Sequence, residues 1–171
     1  LIPSQMFTAI DSVPLTAIAF FMLTGELMTS ATITDRLVAL SRALIGRIRG
    51  GLAQVNVLVS MFFAGMNGSV VADTATVGAL VLPAMKKAGY PAAFSAAVTG
   101  VSSTIGGIIP PSIMMIVLAN ATEISIASLF AAGIVPGILI GVVIMVINHY
   151  FAVKYNFERS DEPFSVRRAG K

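Results

Sequence analysis

The chain contains no cysteine and a single histidine among 171 residues. Without cysteine there is no disulfide framework, no thiol redox chemistry and no zinc–thiolate site. Charge is scarce as well. Asp, Glu, Lys and Arg together make up 11% of the residues, against about 25% in a soluble domain. There is no ten-residue apolar/polar alternation of the outer-membrane type, so a β-barrel is excluded. No basic n-region precedes a short apolar core, so no signal peptide is read. What fills the chain instead is apolar sequence: 56% of residues are hydrophobic, and the mean hydropathy is +0.90. The expected class is an all-α integral membrane protein.

The basic residues do not form a nucleic-acid surface. They sit at the ends of apolar segments, where the positive-inside rule places them. All 11 fall among Arg36–Arg49, at Lys86 and Lys87, or from Lys154 onward. The two segments expected on the opposite side, around Asp11 and Asn120–Glu123, carry none. One side of a membrane therefore receives every Lys and Arg.

Along the chain, Leu1–Asp11 reads as a short entry segment and Val13–Met28 as a first span, with Pro14 in the first turn where proline is tolerated. Glu26 near its end reads as an interfacial carboxylate, the alternative being a buried pairing residue. From Thr34 to Gly50 the character changes. Leu37, Val38, Leu40, Leu44, Ile45 and Ile48 recur at three- and four-residue steps, with Arg36, Arg42, Arg47 and Arg49 between them. This predicts an amphipathic helix with a basic face lying in the headgroup region. Thr34 is the expected N-cap, and Asp35 suits the first turn.

Leu52–Met85 is apolar with one charge, Asp73, and is interrupted by Gly65-Met66-Asn67-Gly68-Ser69. Both flanks are basic, so the chain crosses an even number of times between them. Split at Asn67-Gly68, each arm has about 15–17 residues, or roughly 22–26 Å as helix, against a hydrocarbon core of about 30 Å. A re-entrant hairpin is the easier solution; two tight full crossings are the alternative. Asn67 or Ser69 can cap the returning helix.

Ala92–Ala121 carries no formal charge, and is broken by Ser102-Ser103-Thr104-Ile105-Gly106-Gly107-Ile108-Ile109-Pro110-Pro111-Ser112. Two prolines remove backbone donors and disfavour helix before them. The segment reads as a discontinuous transmembrane helix, with a kinked, tightly packed helix as the plainer reading. Ile124–Val153 is expected as a short interfacial part up to Pro136 followed by a span, with His149 structural at its end. Lys154–Lys171 reads as a basic cytoplasmic tail.

A hairpin tip and a broken helix at mid-depth are the parts from which secondary transporters build sites. Carbonyls freed from helix and Ser/Thr hydroxyls are hard ligands suited to Na⁺, and helix N-termini favour anionic groups. The candidate Na⁺ ligands are Asn67, Gly68, Ser69, Ser103, Gly106, Gly107 and Pro110. The candidate substrate contacts are Asn67, Ser69 and Thr104. Asp73 is a supporting residue whose role stays open among hydrogen bonding to the tip, influence on a cation site and proton carriage. An intramembrane aspartyl enzyme is one rival, but that chemistry needs two carboxylates sharing a site and only Asp73 lies deep. A channel would need a repeated polar lining. A purely structural membrane subunit is the third rival.

Several stretches together resemble one family. They are GRIRGG (Gly46–Gly51), AQVNV (Ala53–Val57), FAGMNGSVVADTATVG, PAMKKAGY, SSTIGGIIPPS and the earlier FFMLTGELM. In this order they are similar to the large membrane subunit of TRAP transporters, the tripartite ATP-independent periplasmic (DctM-type) permeases. Gly107 stands where members often have proline. The resemblance implies a Na⁺-coupled elevator-type importer of small organic anions such as C4-dicarboxylates or sialic acids, and no enzyme. It implies Na⁺ as coupling ion rather than resident cofactor. The implied partners are a small four-helix membrane subunit, a periplasmic substrate-binding protein and the lipid of an inner membrane, with no nucleic acid. It also implies that this chain is a piece of a longer protein, most of the first of two inverted repeats. On that reading 1–33 is a scaffold-like span and 34–51 the amphipathic arm. Residues 52–88 are the re-entrant hairpin and 89–121 the discontinuous helix. Residues 122–153 are an interfacial segment plus span, and 154–171 the tail.

Overall fold

The computed structural model describes residues 13–30, 33–46 and 48–157. The expectations for the entry segment, for Arg47 and for the tail beyond Phe157 lie outside them. The described residues form helices joined by short turns, without a strand. In chain order the helices are α1 (Val13–Ser30), α2 (Ile33–Ile45), α3 (Gly51–Asn67), α4 (Val70–Lys87), α5 (Ala92–Ser103), α6 (Ile113–Thr122) and α7 (Ile126–Lys154), with a 3-10 turn (Thr104–Gly107) after α5.

Helix α3 is the hub. It packs against α1, α2, α4, α5, α7 and the 3-10 turn. Its Ala53, Val57, Val59, Phe63 and Ala64 are fully buried and meet Val77, Val81 and Met85 of α4 and Ile105 of the 3-10 turn in one cluster. Its start is defined by Gly50 in a left-handed conformation (φ 72°), and a side chain there would strike Ala152 of α7. Polar groups join the same pair of helices: Gln54 Nε2 donates to the Met145 carbonyl at 2.8 Å, and Asn148 Nδ2 to the Ala53 carbonyl at 3.5 Å.

The amphipathic segment forms a shorter helix than its periodicity predicts, ending at Ile45 before Gly46. Thr34 is not its N-cap. The helix begins at Ile33, and Thr34 is buried inside the first turn with its hydroxyl unpartnered. Arg36 and Arg42 are exposed, beside the exposed Leu40 and Leu44. Glu26 is exposed, in keeping with the interfacial reading rather than the buried one.

Helix α7 departs from the expected two-part segment. It runs unbroken for 29 residues, with Pro136 inside it. A proline costs its helix one hydrogen bond, and here the chain continues through it. The glycines Gly133, Gly137 and Gly141 lie one turn apart on the buried side, against Ile108 and Met115, Ile109, and Met61 respectively. By length and composition α7 is the one described helix that can cross a membrane alone. It would be about 43 Å long.

Apolar burial drives helix association weakly in lipid, where close van der Waals packing takes over. The glycine side of α7 is such packing: it admits the Ile108 carbonyl at Gly133 and the side chains of Ile109 at Gly137 and Met61 at Gly141. A methyl group added at Gly133 would sit 2.5 Å from the Ile108 carbonyl oxygen. One added at Gly78 in α4 would meet Thr99 at an ordinary 3.5 Å. Gly133→Ala is therefore expected to destabilise the purified protein by about 1–3 kcal/mol. Gly78→Ala is expected to be neutral or stabilising by up to about 1 kcal/mol. Thermal melting of the two variants side by side checks the pair, and equal melting temperatures would show that the α7 contact is slack.

Candidate functional site

The turn between α3 and α4 is two residues long, and each residue type in it has a geometric reason. Gly68 takes φ 58°, and its N–H closes α3 on the Ala64 carbonyl. A side chain at Gly68 would collide with the Pro111 carbonyl oxygen, so the position demands glycine twice over. Asn67, the last residue of α3, is buried and accepts the Ser69 N–H on Oδ1 at 3.1 Å. Ser69 then caps α4: its Oγ accepts the Ala72 N–H at 3.3 Å.

The second break follows α5. Pro110 and Pro111, joined by a cis peptide, have no N–H to offer the carbonyls of Gly106 and Gly107. The Gly107 carbonyl is instead taken by Ser112 Oγ at 2.9 Å. The same Ser112 hydroxyl caps α6 by accepting the Met115 N–H at 3.3 Å. Ser112 is fully buried.

These two irregular stretches touch. Ile113 N–H donates to the Gly68 carbonyl at 3.3 Å. A methyl at Gly106 would lie 3.6 Å from the Ser69 carbonyl carbon and the Val70 nitrogen, and one at Gly107 3.4 Å from the Val70 side chain. Gly65 faces the Pro110 carbonyl. Helix α1 closes another side, with Gly25 packed on Asn67 Cβ. Two helix N-termini, those of α4 and α6, thus start at one junction, which gives it partial positive charge and several backbone carbonyls.

Of the residues singled out from sequence, Asn67, Gly68, Ser69, Gly106, Gly107 and Pro110 come together at this junction. Thr104 stands apart: it is exposed, and its hydroxyl donates back to the Val101 carbonyl at 2.7 Å. Ser103 is fully buried and donates to the Thr99 carbonyl at 2.8 Å. Asp73 is fully buried, and neither carboxylate oxygen has a hydrogen-bond partner.

The motif reading missed a polar interior. Asn56 Nδ2 donates to Thr99 Oγ1 at 2.7 Å, and Ser102 Oγ to Asn56 Oδ1 at 3.3 Å. Ser60 and Ser102 hydroxyls lie 3.2 Å apart. Thr99 Oγ1 donates to the Ser95 carbonyl at 2.9 Å. The signal was available as spacing. Asn56, Ser60 and Asn67 recur at steps of four and seven along a helix otherwise apolar but for Gln54, which is one helical face. On α5, Ser95, Thr99 and Ser102 repeat the pattern. A groove of about 660 Å³ runs along α4 between Thr74 and Lys86, lined also by Gly78 and Pro83; it is apart from the junction.

The sequence matches the family model described as "Tripartite ATP-independent periplasmic transporter, DctM component" over residues 1–171. It is 43% identical over 148 residues to the C4-dicarboxylate TRAP transporter large permease protein DctM of Pseudomonas aeruginosa, covering 86% of this chain and 35% of that protein. It is 40% identical over 156 residues to the sialic acid TRAP transporter permease protein SiaT of Haemophilus influenzae, covering 91% and 25%. It is 41% identical over 152 residues to the 2,3-diketo-L-gulonate TRAP transporter large permease protein YiaN of Escherichia coli, covering 89% and 36%. The chain therefore spans between a quarter and about a third of the length of these relatives. With motifs matched from the first helix to the last, the chain belongs to the DctM family of TRAP transporter large permeases.

Proposed function

We propose that this chain is part of the membrane permease of a Na⁺-coupled secondary transporter, and that the α3–α4 pair is a re-entrant hairpin in its moving domain. The observation that carries the proposal is the junction itself. Two helix breaks meet there, with N-termini, carbonyls and hydroxyls gathered inside an apolar helical body. Irregular backbone at membrane depth is tolerated where it lines a site.

Helices α3 and α4 have 17 and 18 residues, about 26 Å each. That is short of a full span, which favours entry and return on one side. The donor set fits Na⁺: carbonyl and hydroxyl oxygens suit a hard monovalent ion. Asn67, Gly68, Ser69, Gly106, Gly107 and Pro110 would hold it. An anionic substrate would sit against the two helix N-termini, with Asn67 and Ser69 at the tip and the exposed Thr104 beside the second break as its contacts from this half. Relatives of this chain carry the names of C4-dicarboxylate, sialic acid and diketogulonate transporters, which makes small organic anions the substrate class. A periplasmic binding protein would deliver the substrate, and a small four-helix membrane subunit would brace the permease in the inner membrane. The second half of the site lies in the part of the protein outside this chain.

Uptake in proteoliposomes tests the proposal, using the full-length permease with its small subunit and binding protein. Uptake is expected to require both an inward Na⁺ gradient and the binding protein. Uptake indifferent to Na⁺ would remove every ion assignment made here. In the same assay Ser69→Ala is expected to raise the Na⁺ concentration for half-maximal uptake by roughly five- to tenfold, the worth of one hydrogen-bonding group to an ion. Thr104→Ala is expected to raise KM for the anion and leave the Na⁺ dependence alone. If both variants behave as wild type at normal expression, the tip and break are packing features.

A further inference from the structure

The bundle has a basic end, and the packing of the helices makes it. Gly50, where α3 starts, lies against Ala152 of α7, which puts Arg49 and Lys154 at the same end of the bundle. Asn56, in the second turn of α3, donates to the Met85 sulfur of α4 at 3.8 Å, which brings Lys86 and Lys87 there too. Just past α4, the Tyr90 ring sits 4.7 Å from that of Phe157, beyond the end of α7. Arg49, Lys86, Lys87 and Lys154 are all exposed. The described carboxylates are elsewhere. Glu26 follows Gly25, which packs on Asn67 at the hairpin tip. Asp35 and Asp73 lie in the first turns of α2 and α4, and Glu123 closes α6. Like charges gathered in this way repel one another, so this end favours an anion.

The groove along α4 leads away from the same end. Lys86 stands at its mouth and Thr74 at its far end, about 18 Å of helix apart. Ala75, Gly78, Ala79 and Pro83 line it between them, and their small size hollows it. Thr74 offers it no proton, because its hydroxyl donates to the Val70 carbonyl at 2.8 Å. The groove is thus apolar along its length and cationic at its mouth. One leaflet is half of a hydrocarbon core of about 30 Å, or about 15 Å. The groove has the length of a single leaflet, and it opens on the side that the positive-inside rule assigns to the cytoplasm. A protein helix seated there would need carboxylates of its own for the cations. A phospholipid brings negative charge and apolar chain in one molecule.

We infer that an anionic phospholipid of the cytoplasmic leaflet docks on this face. Its phosphate sits among Arg49, Lys86, Lys87 and Lys154, and one acyl chain runs along Ala75, Gly78, Ala79 and Pro83. Cation clusters at the cytoplasmic ends of membrane helices attract anionic headgroups. The docked headgroup joins the two arms of the hairpin at their open end, because Arg49 precedes α3 and Lys86 ends α4. It also ties both to α7 through Lys154. None of these residues belongs to the junction, so the inference is independent of Na⁺ coupling.

The test uses the full-length permease with its small subunit, in phosphatidylcholine nanodiscs with rising fractions of phosphatidylglycerol. The readouts are the phosphatidylglycerol fraction giving half of the rise in melting temperature, and the phosphatidylglycerol retained after delipidation, counted by native mass spectrometry. Wild type is expected to be stabilised by phosphatidylglycerol and to retain it. The double variant Lys86→Gln, Lys87→Gln is expected to raise the midpoint by roughly tenfold or more. Ala79→Phe leaves the charge alone and fills the groove at an exposed position. It is expected to raise the midpoint by roughly threefold or more. A wild type indifferent to phosphatidylglycerol overturns the inference. So does an Ala79→Phe midpoint equal to wild type, which would leave attraction by charge without a seat for the chain. Ala79→Phe melting well below wild type in phosphatidylcholine alone would show that a protein helix fills the groove, and overturns it too. Stabilisation by soluble glycerol phosphate equal to that by phosphatidylglycerol would make the ligand a free phosphate and overturn the lipid.

Discussion

A peptide group removed from its helix has to be satisfied by something other than water, and this single requirement organises the middle of the chain. Two turns leave helical geometry inside apolar sequence. Each settles its loose groups on the other or on a neighbouring serine: Ile113 N–H on the Gly68 carbonyl, Ser112 Oγ on the Gly107 carbonyl, Ser69 Oγ under Ala72 N–H. Without those exchanges either break would be too costly away from water. Because they exist, the two breaks are docked, and moving one perturbs the other. The same demand explains the glycines. Gly68 lets backbone approach backbone closely enough for the exchange.

The polar interior follows a second rule, that buried donors and acceptors are paired. Asn56, Thr99, Ser102 and Ser60 satisfy one another in a short chain between α3 and α5. Asp73 is the one charged side chain buried among the described residues, and its carboxylate joins Thr34, Ser41 and Gln54 as a place where the pairing is incomplete.

Much of this was legible from sequence. Helical class, the break at Asn67–Ser69, the break before Ser112 and the prominence of Asp73 are all written in composition and in glycine, proline and serine placement. Those signals are local, because proline and glycine act on their own turn. What was misread was equally local in cause. Pro136 suggested a broken helix, yet α7 runs on, held by Gly133, Gly137 and Gly141 packing on Ile108, Met115, Ile109 and Met61. Thr34 suggested a cap, yet the helix starts one residue earlier. Thr104 and Ser103 were chosen together, and nothing in the local sequence separates the exposed residue from its buried neighbour.

The sequence by itself determined that this is an apolar helical chain whose basic residues sit at the ends of its apolar segments, which segments are helical, and where two of them break. Hydropathy and backbone stereochemistry are properties of short stretches, so they need no partner to be read. The tertiary structure alone decided that the two breaks meet, that Ser103 faces inward and Thr104 outward, and that Asn56 and Ser60 join Asp73 in one polar interior. Those facts depend on how α3, α4 and α5 rotate about their own axes when packed. That rotation is set by contacts between residues up to 46 positions apart, such as Asn56 with Ser102, which no local pattern encodes.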